Sequence, residues 1–282
     1  MRKFLAIILA VSMLMCLLAG CGNEPAEDEN NDILSDGGDV TATSDVDYIL
    51  EKGEVVVGVC KLYAPMNYRN DANDLVGFET EFAQAVFERI GVTPRFEIVD
   101  ATICTNELNS KKIDCVWNGL VITSNAKSAM EISNPYMANK QVMVVKKENA
   151  ERYADGVLGT AVVAEKDSAG EKVATTDDFF KDAAFTSVES MEVALRAVKS
   201  GSAGVAIVDN VVALSLIGEG TDFADLVVVS DREYAQEEYG VAFRKGSDMA
   251  TVVNNTIEEL IADGTLDAIA AKYKLENLII KE

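Results

Sequence analysis

Val55-Val56-Val57-Gly58-Val59 is a β-branched run of the kind that fills a buried strand, and segment 79–89 then spaces Phe82, Val86, Phe87 and Ile90 along one helical face ahead of Gly91. Strand then helix is the first turn of a repeating order. Segments 95–99, 114–117 and 141–145 read as further strands, with a helix ending over 106–110. A second series follows: strand 160–164, a helix opening near Ser168, a helix with Met191, Ala194, Leu195 and Val198 on one face, and strand 205–208. Segments 226–229 and 241–243 read as two late strands. Val252, Val253, Ile257, Leu260 and Ile261 then share a helical face, and another helix follows Gly264 over 266–273. This alternation predicts α/β layers with mostly parallel sheets. Ligands in such sheets bind at the carboxyl ends of strands, which points to 60–68, 117–123, 164–170 and the pair Asp209/Asn210. Aromatics, hydroxyls, amides and a carboxylate collect there, a set suited to holding a small polar solute.

Composition narrows the function further. The 282 residues include no His, so His-based triads, His metal sites and imidazole proton shuttles are excluded. A formal net charge of −22 argues against a nucleic-acid partner, because phosphate binding needs a basic surface. With 49% hydrophobic residues the chain has enough apolar material for one large or two modest cores. No cofactor or metal motif is present. Beyond position 21 the cysteines are Cys60, Cys104 and Cys115, an odd number whose spacing matches no zinc site. Cys104 and Cys115 could pair, while the simplest reading makes all three small buried residues.

The amino terminus reads as a secretion signal. Arg2 and Lys3 precede an apolar run over 4–18, too short for the roughly 20 residues of a spanning helix. The run ends in Leu18-Ala19-Gly20-Cys21, which resembles the lipobox of bacterial lipoproteins. The resemblance implies cleavage of the signal peptide 1–20 and a lipid on the thiol of Cys21, anchoring the protein to the outer face of the cell membrane, or on the periplasmic side in a Gram-negative cell. Residues 22–47 carry nine Asp/Glu and no Lys or Arg, so 21–47 is expected to be the lipidated cysteine and an acidic, flexible tether.

Past residue 48 a family resemblance covers nearly the whole chain. Segment 57–68, Gly77-Phe78-Glu79, Lys112-Ile113-Asp114, Asn118-Gly119-Leu120-Val121-Ile122-Thr123, Asn134-Pro135-Tyr136, segment 141–147, Tyr239-Gly240-Val241-Ala242-Phe243-Arg244-Lys245-Gly246 and Asp263-Gly264-Thr265-Leu266-Asp267 occur in the order and spacing of the polar amino-acid-binding receptors (family 3) of ABC importers. The chain resembles this family throughout. The resemblance implies a two-lobed periplasmic-binding-protein fold of type II, each lobe a mostly parallel sheet flanked by helices, with two hinge crossings. Lobe 1 would comprise 48–144 plus 240–282, and lobe 2 would comprise 145–239.

The resemblance also implies a ligand site. Tyr63 matches the aromatic that covers the ligand, the alternative being a rim residue packed on Pro65 and Met66. Asn118, Gly119 and Thr123 match the strand-end segment that meets the ligand's amino and carboxylate groups. Ser168 matches a turn into a helix whose N–H groups could receive a carboxylate, and is equally a plain N-cap. Asp209 matches the carboxylate that holds the ligand's ammonium, and is also a good N-cap. The chain departs from the family in four places. Val121 stands where a Ser or Thr is common, and Ala126 where an Arg pairs with the carboxylate, with Lys127 next to it as a substitute. Ala101 replaces the second aromatic wall, which leaves Trp117 either as that wall or as ordinary core. Cys60 replaces an acid common in receptors for cationic amino acids, which disfavours Lys or Arg as ligand.

The resemblance implies a monomeric receptor, not an enzyme, that binds an amino acid, a neutral polar one being favoured, and hands it to an ABC permease. The alternatives are a ligand sensor or adaptor for a membrane signalling partner and, on the same scaffold, a dehydratase or lyase. The strand-end segments show no paired carboxylates for the latter.

Overall fold

The computed structural model describes residues 44–153 and 155–281. Segment 1–20, expected to be a signal peptide, and Cys21, expected to be lipidated, lie outside the described residues. The described chain runs α1 (Asp45–Lys52), β1 (Glu54–Val59), β2 (Tyr68–Arg69), β3 (Leu75–Val76), α2 (Phe78–Ile90), β4 (Thr93–Ile98), α3 (Cys104–Asn109), β5 (Cys115–Val121), α4 (Ser124–Ala129), β6 (Glu131–Ile132) and β7 (Met137–Lys146). It continues with β8 (Ala161–Glu165), α5 (Ala169–Thr176), β9 (Ala184–Val188), α6 (Met191–Ser200), β10 (Val205–Asp209), α7 (Asn210–Leu216), β11 (Leu226–Phe243), α8 (Met249–Ala262) and α9 (Thr265–Lys272). Among the described residues no helix is long and apolar enough to cross a membrane.

One hydrogen-bonded path, β4-β1-β5-β11-β7-β10-β8-β9, joins the main strands, with β6 on β11. Its two ends are parallel. At one end β1 lies between β4 and β5, Val57 facing both Phe96 and Cys115. At the other, β8 lies between β10 and β9. The middle is antiparallel: β7 and β11 pair with each other from Leu226↔Lys146 to Tyr239↔Met137, β11 also pairs with β5, and β7 with β10. Two long strands thus link two parallel groups. Strands of the parallel groups are covered on both faces, which is why β1 and β10 read as unbroken Val/Ile runs rather than alternating ones. Phe82, Val86 and Phe87 of α2 bury completely, as their spacing predicts.

Two expectations need correction. Segments 226–229 and 241–243 are not separate strands but the two ends of β11. Register shifts at 229/234 and 234/237 break the two-residue period across its polar middle, so no apolar alternation marks it. Residues 44–47, expected to belong to a flexible tether, are instead the cap and first turn of α1. Ser44 caps α1, its hydroxyl accepting from the N–H of Asp47 at 3.1 Å and donating to Asp248 at 2.5 Å. Buried Asp45 pairs with Arg244 at 3.0 Å. Long-range partners order these acidic residues.

Candidate functional site

The carboxyl ends of β5 and β10 and the long strands β7 and β11 bring a polar cluster to the centre of the sheet. Asp209 ends β10, 8% exposed. It is followed by α7 but makes no side-chain cap; instead Asn139 of β7 accepts from the N–H of Val211 at 3.4 Å. The carboxylate is thereby left to the centre. Gln141 donates its amide to Asp209, and the Tyr239 hydroxyl lies 3.5 Å from the other carboxylate oxygen. Burial pushes the Asp209 carboxyl above its ordinary range, while the amides of Gln141 and Asn139 and the Lys61 ammonium act against that rise.

Tyr63 reaches this centre from the loop after β1. It is half-buried, and burial, with the carboxylates of Glu79 and Asp209, pushes its phenol well up. Gly119 fits beneath it: at φ +56° its N–H donates to Glu79 at 2.6 Å, and an added Cβ would come within 2.2 Å of the Tyr63 hydroxyl. Glu79 is fully buried, also taking hydrogen bonds from Asn67 at 2.7 Å and from Tyr136. Burial lifts its carboxyl to about 7 even so. Glu79 fixes the Gly119 backbone from below.

The other expected site residues have different tasks. Trp117 is corrected: at 1% exposure its ring sits among Phe82, Phe87 and Tyr136, with centroids 5.0–6.1 Å apart, so it is core and not a ligand wall. β5 alternates faces, and position 117 points inward. Asn118 spends its amide on the backbone of Lys61, accepting from its N–H at 2.5 Å and donating to its carbonyl at 2.7 Å. Thr123 caps α4, accepting from the Ala126 N–H at 3.1 Å, and lines a 590 Å³ cavity with Val121, Asn139, Asn210 and Glu237. Ser168 caps α5, accepting from Glu171 N–H at 3.1 Å and donating to the Glu165 carbonyl at 2.6 Å. Behind it Gly170 abuts Gln141, whose Oε1 lies 3.2 Å from where a Cβ would stand. Lys127 is exposed and lines neither large cavity beside the cluster.

The structure thus gathers Tyr63, Gly119 and Asp209, and adds Gln141, Asn139, Tyr239 and Glu79. Gln141 and Asn139 are two apart on one strand, hence on one face, and that spacing of amides in an apolar strand was the available signal. A second cavity, of 570 Å³, opens between Lys61, Tyr63 and Arg69 of the 61–69 loop and Glu165, Glu189 and Met191 of the β8–β10 group. The cysteines also differ from expectation. Cys60 is bonded to Cys104, and buried Cys115 is free, because Cys115 points into the core from β5 while Cys60 directly follows β1 and Cys104 begins α3. Among the described residues no group of three or more His, Cys, Asp or Glu side chains could hold a metal ion.

The chain is similar to known amino-acid-binding proteins. L-cystine-binding protein TcyJ of Escherichia coli (strain K12) is 29% identical over 235 residues, covering 80% of this chain and 84% of that protein. L-cystine-binding protein TcyA of Bacillus subtilis (strain 168) is 26% identical over 275 residues, covering 96% and 97%. The solved structure of an ancestral cationic amino acid solute-binding protein superposes with a TM-score of 0.72 at 26% identity, over 82% of this chain and 99% of that one. The fold is the type II periplasmic-binding-protein fold. Residues 55–276 match the profile of the bacterial extracellular solute-binding proteins, family 3, and the chain belongs to that family.

Proposed function

We propose that this protein captures a neutral polar amino acid outside the cell and delivers it to an ABC permease, tethered through a lipid on Cys21. Lobe 1 comprises 48–144 and 240–282, lobe 2 comprises 145–239, and β7 and β11 are the hinge between them. Ligand bridging the lobes favours the closed form, which the permease reads. Asp209 takes the ammonium and Tyr63 covers the body. The observation that carries this reading is the buried Asp209 carboxylate, released from capping by Asn139 and set opposite Tyr63 and Gly119. L-Cystine, electrically neutral and the ligand in the names of two relatives, is the first solute to test.

Calorimetry of the purified protein against the amino acids, L-cystine included, tests it. Asp209→Ala is expected to weaken binding by about 2–5 kcal/mol, the cost of leaving a buried ammonium without its partner. Unchanged affinity in that variant would overturn the placement of the ammonium.

A further inference from the structure

One ion pair spans the two parallel groups beside Asp209. The Lys61 ammonium meets the carboxylate of Glu165, the last residue of β8. Glu165 is nearly buried, its side chain 7% exposed, and that of Lys61 43%. Lys61 is held from its own side twice over: Asn118 grips both its N–H and its carbonyl, and Cys60 before it is bonded to Cys104. Its ammonium lies 5.6 Å from the Tyr63 ring centroid, and Lys61, Tyr63 and Glu165 share the wall of the 570 Å³ cavity. Both charges of the pair reach Asp209 and act on it with opposite sign. Because the pair shares its cavity wall with Tyr63 and its charges reach Asp209, a solute with its ammonium on Asp209 and its body on Tyr63 brings its side chain near this pair.

We propose that the Lys61–Glu165 pair is the charge selector of the site: while its two charges cancel, it admits ligands whose side chain is uncharged or internally neutral, and loss of either partner turns the preference toward the charge that was removed. This rests on the amino-acid-receptor reading above and names the ligand class. Without Lys61, Glu165 faces the cleft unpaired and attracts a cationic side chain. Without Glu165, Lys61 attracts an anionic one. A pair that merely clasped the lobes shut would behave differently, since its loss would weaken all ligands alike. The ratio of affinities separates the two roles.

The test titrates full-length wild type, Lys61→Gln, Glu165→Gln and the double variant with L-cystine and L-glutamine as neutral probes, L-arginine as cation and L-glutamate as anion. In Lys61→Gln the preference for arginine over the neutral probes is expected to rise by about ten-fold or more, and in Glu165→Gln that for glutamate by a similar factor. The double variant, again neutral, returns both ratios to wild type. Should a single variant fail to fold, the charge-exchanged pair K61E/E165K keeps the question answerable, with wild-type ratios expected. Ratios unmoved while all affinities fall together would reduce the pair to a clasp and overturn the selector. If no probe bound wild type or any variant, the receptor reading itself would fall, and the selector with it.

Discussion

Gly119 lies directly under the phenol of Tyr63, so close that a methyl group on its Cα would stand 2.2 Å from the hydroxyl oxygen. The backbone there is left-handed, at φ +56°, which a Cβ disfavours by about 1 kcal/mol. Gly119→Ala is therefore expected to lower the melting temperature modestly and to weaken ligand binding more, because Tyr63 must move off the site. Adding Tyr63→Phe, which removes the clashing oxygen, should restore part of the lost affinity for apolar contact. Thermal melts and calorimetry on the single and double variants measure both effects; a double variant no better than Gly119→Ala alone would show that the steric contact is not the cause.

Glu79 makes stability depend on pH. Its folded carboxyl is raised from 4.5 to about 7 by burial, so the native state holds a proton that the unfolded chain releases between those values. The stabilising contribution is complete below the unfolded value and is lost as pH rises through about 7, a change of roughly 3 kcal/mol. Glu79→Gln still offers Gly119 an acceptor but cannot ionise. Urea denaturation from pH 4 to 8 should show a shallower decline for this variant than for wild type. Burial also raises Asp209 and Glu237, so some decline persists.

The parts legible in the sequence were those encoded by local periodicity. β1, α2, β8, α6, β10 and the last two helices announce themselves because each covers a core with consecutive or helically spaced apolar residues, and Asp209 stood out as a candidate because it directly ends such a run. What was hidden depended on contacts distant along the chain. The partner of Cys60 is 44 residues away, and nothing near either cysteine distinguishes Cys104 from Cys115. The helical character of 45–47 depends on Asp248 and Arg244, about two hundred positions later. Trp117 could not be assigned to core or cleft until the inward face of β5 was fixed by Phe82, Phe87 and Tyr136.

Arg244 ties three separate motifs together. Its guanidinium donates to Asp45 at 3.0 Å, to the carbonyls of Leu108 and Ile113 at 3.2 and 3.0 Å, and approaches Asp114 at 3.4 Å. Asp114, 1% exposed, also pairs with Lys52 at 2.5 Å and accepts from the Val56 N–H at 2.9 Å. Burial would raise the Asp45 carboxyl, but Arg244 and Ser247 outweigh it and hold it below its ordinary range. Arg244→Ala should destabilise by about 3–5 kcal/mol, since it strands buried carboxylates and carbonyls. Arg244→Lys keeps the charge but has no planar fork to reach all of these oxygens, so denaturant titration is expected to show only partial recovery.

The Cys60–Cys104 bond closes a loop of 44 residues that holds β2, β3, α2 and β4. Chain-entropy reasoning assigns such a closure about 4 kcal/mol of stability, acting mainly through the unfolded state. Its effect on function follows from where it lies: Cys60 precedes Lys61 and Tyr63, so the bond also restrains the loop that forms one wall of the cleft. The variant Cys60→Ser/Cys104→Ser is thus expected to unfold at lower urea and to bind ligand more weakly, with faster release, since the 61–63 loop then loses its covalent restraint and keeps the hydrogen bonds of Asn118 to Lys61 and of Asn67 to Tyr63. Cys115→Ser leaves the loop restraint intact and should preserve ligand release rates, whatever it costs in core packing. Non-reducing peptide mapping that joined Cys104 to Cys115, or a double variant with wild-type release kinetics, would break this link between crosslink and cleft.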